Sequence, residues 1–419
     1  MKITIVGGGI GGLSCALSLH AAGFDDVDVY ETVSTVKEIG VGVNLLPHAV
    51  RELDELGLLD ELYQTAIPTE ELSYLTHRGQ LVWKEPRGIA AGYRWPQFSI
   101  HRGQLLGIIH RAALARIGDE RIHVGHHFQG FGQANNKRMW AEFKTERGTE
   151  KVESDLIIAC DGVHSTARAS LYPQEGPPLW NGTTMWRGVT LAEPFWSGKS
   201  MFIAGRFVHR VVVYPISRSY YDQGKSLINW VAEKRLDEDQ PMPKQDWQHQ
   251  VDVDEVMANF EEFDFPFLSM PALIRNAEAI FKYPMVDRDP LDTWVHGRLT
   301  LLGDAAHPMY PVGSNGASQA IIDARTLVHA LATEASIDAA LEKYDSIRRP
   351  ATAAVVLANR QVGPEKCIEL AEERAPNGFE KIDDVISRTE LEDIALNYKQ
   401  TAGFDPQVLN HRESLNANV

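Results

Sequence analysis

Residues 2–31 read KITIVGGGIGGLSCALSLHAAGFDDVDVYE. Residues 2–6 are a short, mostly apolar run suited to a strand buried on both faces. Gly7 to Gly12 break that run as a turn, and residues 13–22 follow as a helix that Gly23 stops. Val27, Val29 and Tyr30 then open a second strand, which ends at Glu31, completing a βαβ unit. Gly7-x-Gly9-x-x-Gly12 therefore lies between a strand and a helix. Glycines there allow a tight turn, close approach of the backbone to a pyrophosphate and close packing of helix on strand. The first helical amides, including those of Ile10 and Gly11, sit at the positive end of the helix dipole. Glu31 falls about 20 residues past the last glycine, where a carboxylate accepts hydrogen bonds from an adenosine ribose. The stretch predicts a dinucleotide site in a parallel α/β fold; a glycine turn that merely packs leaves Glu31 without a role.

The whole chain fits that setting. Its 419 residues are 44% apolar and 23% charged, as in an ordinary globular protein, which excludes collagenous, disordered and disulfide-scaffold classes. A net charge of −16 argues against a nucleic-acid partner. Cys15, Cys160 and Cys367 are far apart and form no CxxC pair or zinc spacing, so no metal is expected and a reducing cytoplasm is the simplest setting. Residues 2–19 mimic a secretory h-region, but five glycines interrupt them and no convincing cleavage site follows. No window approaches the ~20 apolar residues of a membrane span, so the chain reads as soluble, unprocessed and without a transmembrane segment.

At about 150 residues per domain, the length suggests two or three domains. Residues 47–63 read as one long helix, with Val50, Leu53, Leu56 and Leu59 at helical spacing, and residues 103–116 as another. Residues 122–143 turn like an antiparallel hairpin. Residues 155–160 are again a buried-strand run, leading into Asp161-Gly162, and residues 299–302 are a third, leading into Gly303-Asp304. Between them the texture changes to a mixed or antiparallel sheet. A helix is expected over 317–333, and the charged helical remainder breaks at Pro350 and Pro364. The expected fold is α/β with α+β elements. A Rossmann-like cofactor domain (1–182 and 285–363) is interleaved with a substrate domain on a mixed or antiparallel sheet (183–284), and a helical tail follows (364–419). Gly40-Val-Gly42 lacks a third glycine, so there is no second dinucleotide fingerprint, and a disulfide reductase would need the absent cysteine pair. A simple NAD dehydrogenase would leave the Gly-Asp segment unused.

Three further segments carry a resemblance. They are His101-Arg102-Gly103-Gln104-Leu105, the stretch Asp161-Gly162-Val163-His164-Ser165 with Arg168 beyond it, and Gly303-Asp304-Ala305-Ala306-His307-Pro308 continuing through Pro311, Gly313, Asn315 and Gly316. In order and content they resemble the class A flavoprotein monooxygenases, the single-component aromatic hydroxylases related to p-hydroxybenzoate and salicylate hydroxylases, over essentially the whole chain. Pro68-Thr69-x-Glu71-Leu72, Thr184-Met-Trp-Arg-Gly-Val189 and Tyr283-Pro-Met-Val-Asp-Arg-Asp-Pro290 look most like the pyocyanin-forming phenazine monooxygenase subgroup.

The resemblance implies bound FAD, NADH or NADPH as co-substrate, and O2. FAD reduced by hydride would form a C4a-hydroperoxide that a phenazine-, quinolone- or hydroxybenzoate-like ring attacks, with or without loss of a carboxyl group. Arg102 would meet the FAD ribose or pyrophosphate and Asp304 its ribityl or pyrophosphate region, while Asp161 and Arg168 would lie near the NAD(P)H route. Gly313, Asn315 and Gly316 would precede a helix whose amides face the flavin N1 and C2 carbonyl. Val43, Asn44 and Pro311 are placed near the flavin, the last two as candidates in its oxygen pocket. Tyr214 is a candidate substrate orienter or acid/base, with a core or surface tyrosine as the alternative. Substrate-pocket candidates are Met185, Trp186, Arg187, Val213 and Trp230. Arg187 suits either a substrate carboxylate or a structural ion pair. Strand alternation allows at most one of Val213 and Tyr214 to reach the pocket. His307 reads as a satisfied histidine in the flavin loop rather than a metal ligand. Monomer and homodimer both remain open. Two other functions share the fold: a flavin-dependent halogenase, whose WxWxIP motif is absent, and a non-catalytic flavin-binding redox module.

Overall fold

The computed structural model describes every residue except 35–39, 238–241, 244–245, 247–248 and 417–419, and the side chain of Asn136. Its organising element is the strand Ile3–Val6, which pairs in parallel with Val27–Tyr30 on one edge and Leu156–Ala159 on the other. Leu299–Leu301 adds to the far side of Leu156–Ala159, also in parallel, and Val295–His296 and Ile122–His123 complete six strands. Ile3, Ile5, Leu156, Ile157, Ile158 and Leu299 are fully buried, as a parallel sheet covered on both faces requires. Each of the three motif turns, at Gly7, Cys160-Asp161 and Gly303-Asp304, follows the carboxyl end of one of these neighbouring strands. Segments about 300 residues apart thus meet at one sheet edge, where open α/β sheets bind ligands.

Facing that edge is a seven-stranded sheet in the order Ile280–Asp287, Leu179–Ala192, Ser226–Arg235, His209–Pro215, Ser200–Arg206, Glu71–Leu75, Leu81–Pro86. Its pairs are antiparallel except Ser200–Arg206 against Glu71–Leu75, which is parallel. Two of its strands come from residues 71–86, outside the expected span 183–284.

Alternation along these strands decides which side chains face the cofactor edge. Val213 lies opposite Trp230 in register, and Val212 opposite Val231. Val213, Trp230 and Trp186 point away from that edge into an aromatic core with Phe202, Phe260 and Phe263. The Trp230 indole donates to Thr190 Oγ1 at 3.1 Å and fills the space over Gly188, where a Cβ would lie 2.3 Å from the ring. The Trp186 indole donates to Glu255 Oε1 at 2.9 Å. Val213, Trp186 and Trp230 are therefore core residues rather than pocket residues, a correction that follows from the period of two.

Two helical expectations also change. Residues 47–63 form two helices, Pro47–Glu55 and Leu59–Thr65, parted at Gly57, whose φ of +70 suits glycine. Conversely, Pro350 sits inside the continuous helix Ile337–Arg360. Burial of Tyr344, Arg348, Thr352 and Val355 along that helix offsets the one backbone hydrogen bond the proline removes. Among the described residues, no helix is long and apolar enough to cross a membrane.

Trp230→Ala should cost about 3–5 kcal/mol in urea unfolding, because the aromatic core cannot collapse into the vacated volume. Leu191→Ala, at a side chain 45% exposed, should stay within about 0.5 kcal/mol.

Candidate active site

A cleft of about 350 Å3 separates the cofactor edge from the inner face of the seven-stranded sheet. On the first side, Gly9, Ile10 and Gly11 line it, and a Cβ at Gly9 would meet nothing within 4 Å. Gly7 and Gly12 stand behind the lining and act by packing. Gly7 has φ +103 with Cys160 O 2.4 Å from a would-be Cβ, and a Cβ on Gly12 would lie 2.0 Å from Gly7 O. Glu31 also stands outside the lining, accepting from Gly8 N at 2.6 Å and Val33 N at 2.9 Å, so it orders the entry to the loop.

Arg102, the first residue of the helix Arg102–Ile117, extends into the cleft, and its own amide donates to Val41 O at 2.9 Å. Cys160 and Gly162 line the cleft, whereas Asp161 between them does not. The Asp161 carboxylate accepts from the Ser165 hydroxyl at 2.6 Å and Ala167 N at 3.1 Å, at the start of the helix Thr166–Leu171. Burial pushes its pKa up and those donors draw it back. Asp161 is thus committed to its own turn rather than to the cleft wall. Arg168 is fully buried: it pairs with Glu175 and donates to Ala306 O at 2.7 Å and Asp289 O at 2.9 Å, tying the Asp-Gly turn to the Gly-Asp turn.

Asp304 lines the cleft, its side chain exposed to that space but surrounded by protein at longer range. Burial pushes its carboxyl up, and His307 and Arg102 offset part of that rise. The turn is pinned from behind by Asp323, which accepts from His307 Nε2 at 2.5 Å, Gly303 N at 3.1 Å and Arg348 Nε at 2.7 Å. Burial alone would raise Asp323, but His307 and Arg348 hold it below the ordinary carboxylate range. His307 has a carboxylate partner, and no metal-binding group of His, Cys, Asp or Glu occurs among the described residues.

Pro311, Asn315 and Gly316 line the cleft, joined by Ser314 and Ala317, while Gly313 faces back toward Tyr398. The strand Gly42–Leu45 brings Val43 and Asn44 to the same place. Asn44 is held at both ends of its amide: Oδ1 accepts from the Ser99 hydroxyl at 2.5 Å and Nδ2 donates to Ser314 Oγ at 3.2 Å.

The opposite wall presents Met185, Arg187, Val212, Tyr214 and Val231. Arg187 Nη2 donates to Gly42 O at 2.7 Å, while its Nε is buried without a partner. Burial raises the Tyr214 phenol above its ordinary value, and the adjacent Arg187 guanidinium offsets part of this. Five wall residues were not anticipated: Val212 and Val231, each next to an expected residue, and Arg210, Glu233 and Glu365, a buried triad in which Arg210 Nε donates to Glu233 Oε2 at 2.7 Å and Nη1 pairs with Glu365. Arg210 and Glu233 face one another across two strands, so alternation from Val212 and Val231 could have found them. Glu365 comes from beyond the sheet and carried no local signal.

Two helix N-termini, those of Ile10–Ala21 and Gly316–Thr333, therefore open on one cleft beside Arg102, with unfilled space at Gly9. That donor set fits an anionic dinucleotide such as FAD. Gly12→Ala should lower both melting temperature and bound flavin, because the methyl collides with backbone. Gly9→Ala should keep the melting temperature and lose flavin, because its methyl enters only the cleft. The flavin-to-protein absorbance ratio and a thermal melt check both.

Comparison with known proteins agrees with this geometry. Residues 1–359 match the family model described as an FAD binding domain. The chain is 41% identical over 362 residues to phenazine 1,6-dicarboxylic acid hydroxylase PhzS of Lysobacter antibioticus, covering 85% of this chain and 89% of that one. It is 31% identical to 3-hydroxybenzoate 6-hydroxylase 1 of Aquipseudomonas alcaligenes, over 86% of this chain and 88% of that one. The fold matches a salicylate hydroxylase substrate complex with a TM-score of 0.71 at 23% identity, covering 96% and 97% of the two chains. With its motifs on one cleft and these relatives along most of its length, the chain belongs to the FAD-binding family and is an FAD-dependent aromatic monooxygenase.

Proposed function

We propose that the substrate is a fused-ring aromatic carboxylic acid of the phenazine class, bound with its carboxylate on Arg187. The observation that carries this is Arg187, a cation in the cleft wall whose Nη2 is fixed by Gly42 O and which has no carboxylate partner among the described residues. A partly exposed guanidinium in a cleft wall gains charge-assisted hydrogen bonds from a ligand carboxylate through its cleft-facing N–H groups. Met185, Val212, Val231 and Pro311 supply flat apolar contact for the rings. The relative that acts on a phenazine dicarboxylic acid supports the same class.

FAD, when bound, accepts hydride from NADH or NADPH and activates O2, so that one oxygen atom enters the ring and the other leaves as water. The chain's residues bind, orient and exclude water. The helix N-terminus at Gly316 favours negative charge on the flavin, and Arg102 and the Gly9–Gly11 amides take the pyrophosphate. Asn44, fixed by Ser99 and Ser314, and Pro311 shape the space between flavin and ring. Tyr214, a neutral phenol throughout the working range, orients the ring as a hydrogen-bonding group and does not serve as a base.

Substrate-stimulated NAD(P)H oxidation with mass analysis of products tests the reading. A phenazine carboxylic acid should stimulate turnover and gain one oxygen atom. Arg187→Ala should raise KM for it about 10- to 100-fold, a loss of ~1.4–2.8 kcal/mol, and should leave an uncarboxylated analogue unaffected. Equal losses for both compounds would rule out the carboxylate anchor. Because burial keeps the Tyr214 phenol protonated below pH ~10, Tyr214→Phe should leave any alkaline limb of the kcat/KM profile in place. A limb near pH ~8–9 that disappears in Tyr214→Phe would show that the phenol does ionise.

A further inference from the structure

The loop between Tyr310 and Gly316 combines features that do not stay together unaided. Gly313 and Ser314 are consecutive residues in the left-handed region, with φ of +64 and +60, and the serine gains no steric relief there. Such a backbone persists only where its surroundings over-determine it. From the cleft side, Asn44 Nδ2 donates to Ser314 Oγ. From behind, Asn359 on the helix Ile337–Arg360 donates to Tyr310 O at 3.0 Å.

The remaining support comes from the C-terminal helix Arg388–Thr401. The Tyr398 hydroxyl accepts from Asn315 Nδ2 at 2.8 Å, and its one proton has Asn359 Oδ1 at 2.8 Å and Val312 O at 3.1 Å as acceptors. Gly313 lies against the phenol so closely that a Cβ there would be 2.1 Å from the hydroxyl oxygen. The next residue, Lys399, pairs with buried Glu85 Oε2 at 2.6 Å, which anchors this end of the helix. One hydroxyl thus joins the C-terminal helix, the long helix and the residue that precedes Gly316.

We propose that Tyr398 is a positioning residue of the flavin site: its hydroxyl brackets the 311–316 loop in the shape that aims the first amides of the helix Gly316–Thr333 at the isoalloxazine. The proposal rests on the reading that this loop faces the flavin. It gives the segment beyond residue 364 a part in the chemistry, because removing the hydroxyl leaves Asn315 and Asn359 without their shared partner while the ring still fills its place.

The test uses the full-length holoenzyme with Tyr398→Phe and, separately, Gly313→Ala, which drives a methyl onto the hydroxyl. Tyr398→Phe should keep its melting temperature within about 4 °C, bind FAD about tenfold more weakly by fluorescence of released flavin, alter the visible circular dichroism of the bound flavin, and release more hydrogen peroxide per NAD(P)H. Gly313→Ala should weaken FAD binding and alter the flavin dichroism in the same way, with a lowered melting temperature, because its methyl collides with the phenol ring and its φ of +64 disfavours alanine. A Tyr398→Phe protein with a lowered melting temperature but wild-type FAD affinity and flavin dichroism would make Tyr398 a packing residue and overturn the proposal. Silence in Tyr398→Phe with a weakened Gly313→Ala would overturn the bracket while leaving the loop at the flavin. Silence in both would overturn the bracket together with the reading of the loop.

Discussion

Four residues, Ile3–Val6, carry parallel hydrogen-bonded ladders on both edges, and the architecture depends on them. A parallel neighbour cannot be reached by a tight turn, so each ladder closes only after a long crossover. The Leu156–Ala159 strand arrives after more than 120 residues and the Leu299–Leu301 strand after nearly 300. Because parallel strands end on the same side, the loop after each one opens onto the same edge. The glycine loop, the Asp-Gly turn and the Gly-Asp turn are brought together by that rule alone.

In a protein of net charge −16, the cleft suits an anionic cofactor by local rather than global means. Arg102 and two helix N-termini supply positive potential where it is needed, and acidic side chains nearby are paired out of the way. Asp323 is enclosed by His307, Arg348 and Gly303 N; Arg168 is matched by Glu175; and Arg210 is shared by Glu233 and Glu365. Buried pairs of this kind are weak evidence for stability, but losing one partner strands a charge. Their contribution here is geometric: each one fixes the turn or wall that lines the site.

The cofactor half of the site was largely legible in the residues, because its physics is local. A strand, a glycine turn and a helix start sit within a dozen residues, so local physics placed Gly9, Ile10 and Gly11, while Arg102 and Asp304 came from the family resemblance; all five line the cleft. Asp161 gives its carboxylate to Ser165 and Ala167, a few residues on, which agrees with its expected structural part in the turn, and Glu31 accepts from Gly8 and Val33 within the same βαβ unit. The substrate wall was half legible. Period-two alternation separated Val213 from Tyr214 but could not say which faced the cleft, since both strand faces are apolar and buried. The structure turns Tyr214, Val212 and Val231 inward and gives Val213 and Trp230 to the aromatic core.

By itself the sequence determined the βαβ start, the order of the motif turns, the kind of cofactor and the class of chemistry, because each rests on residues close together or on motifs carried whole. Tertiary structure alone decided which sheet face meets the cleft, that residues 71–86 lend two strands to that sheet, and that Arg210, Glu233 and Glu365 form one wall. It also decided that Tyr398 reaches the cleft-lining loop from more than 80 residues away. Those outcomes depend on contacts between segments far apart along the chain, and such contacts leave no periodicity or spacing in any one segment to read.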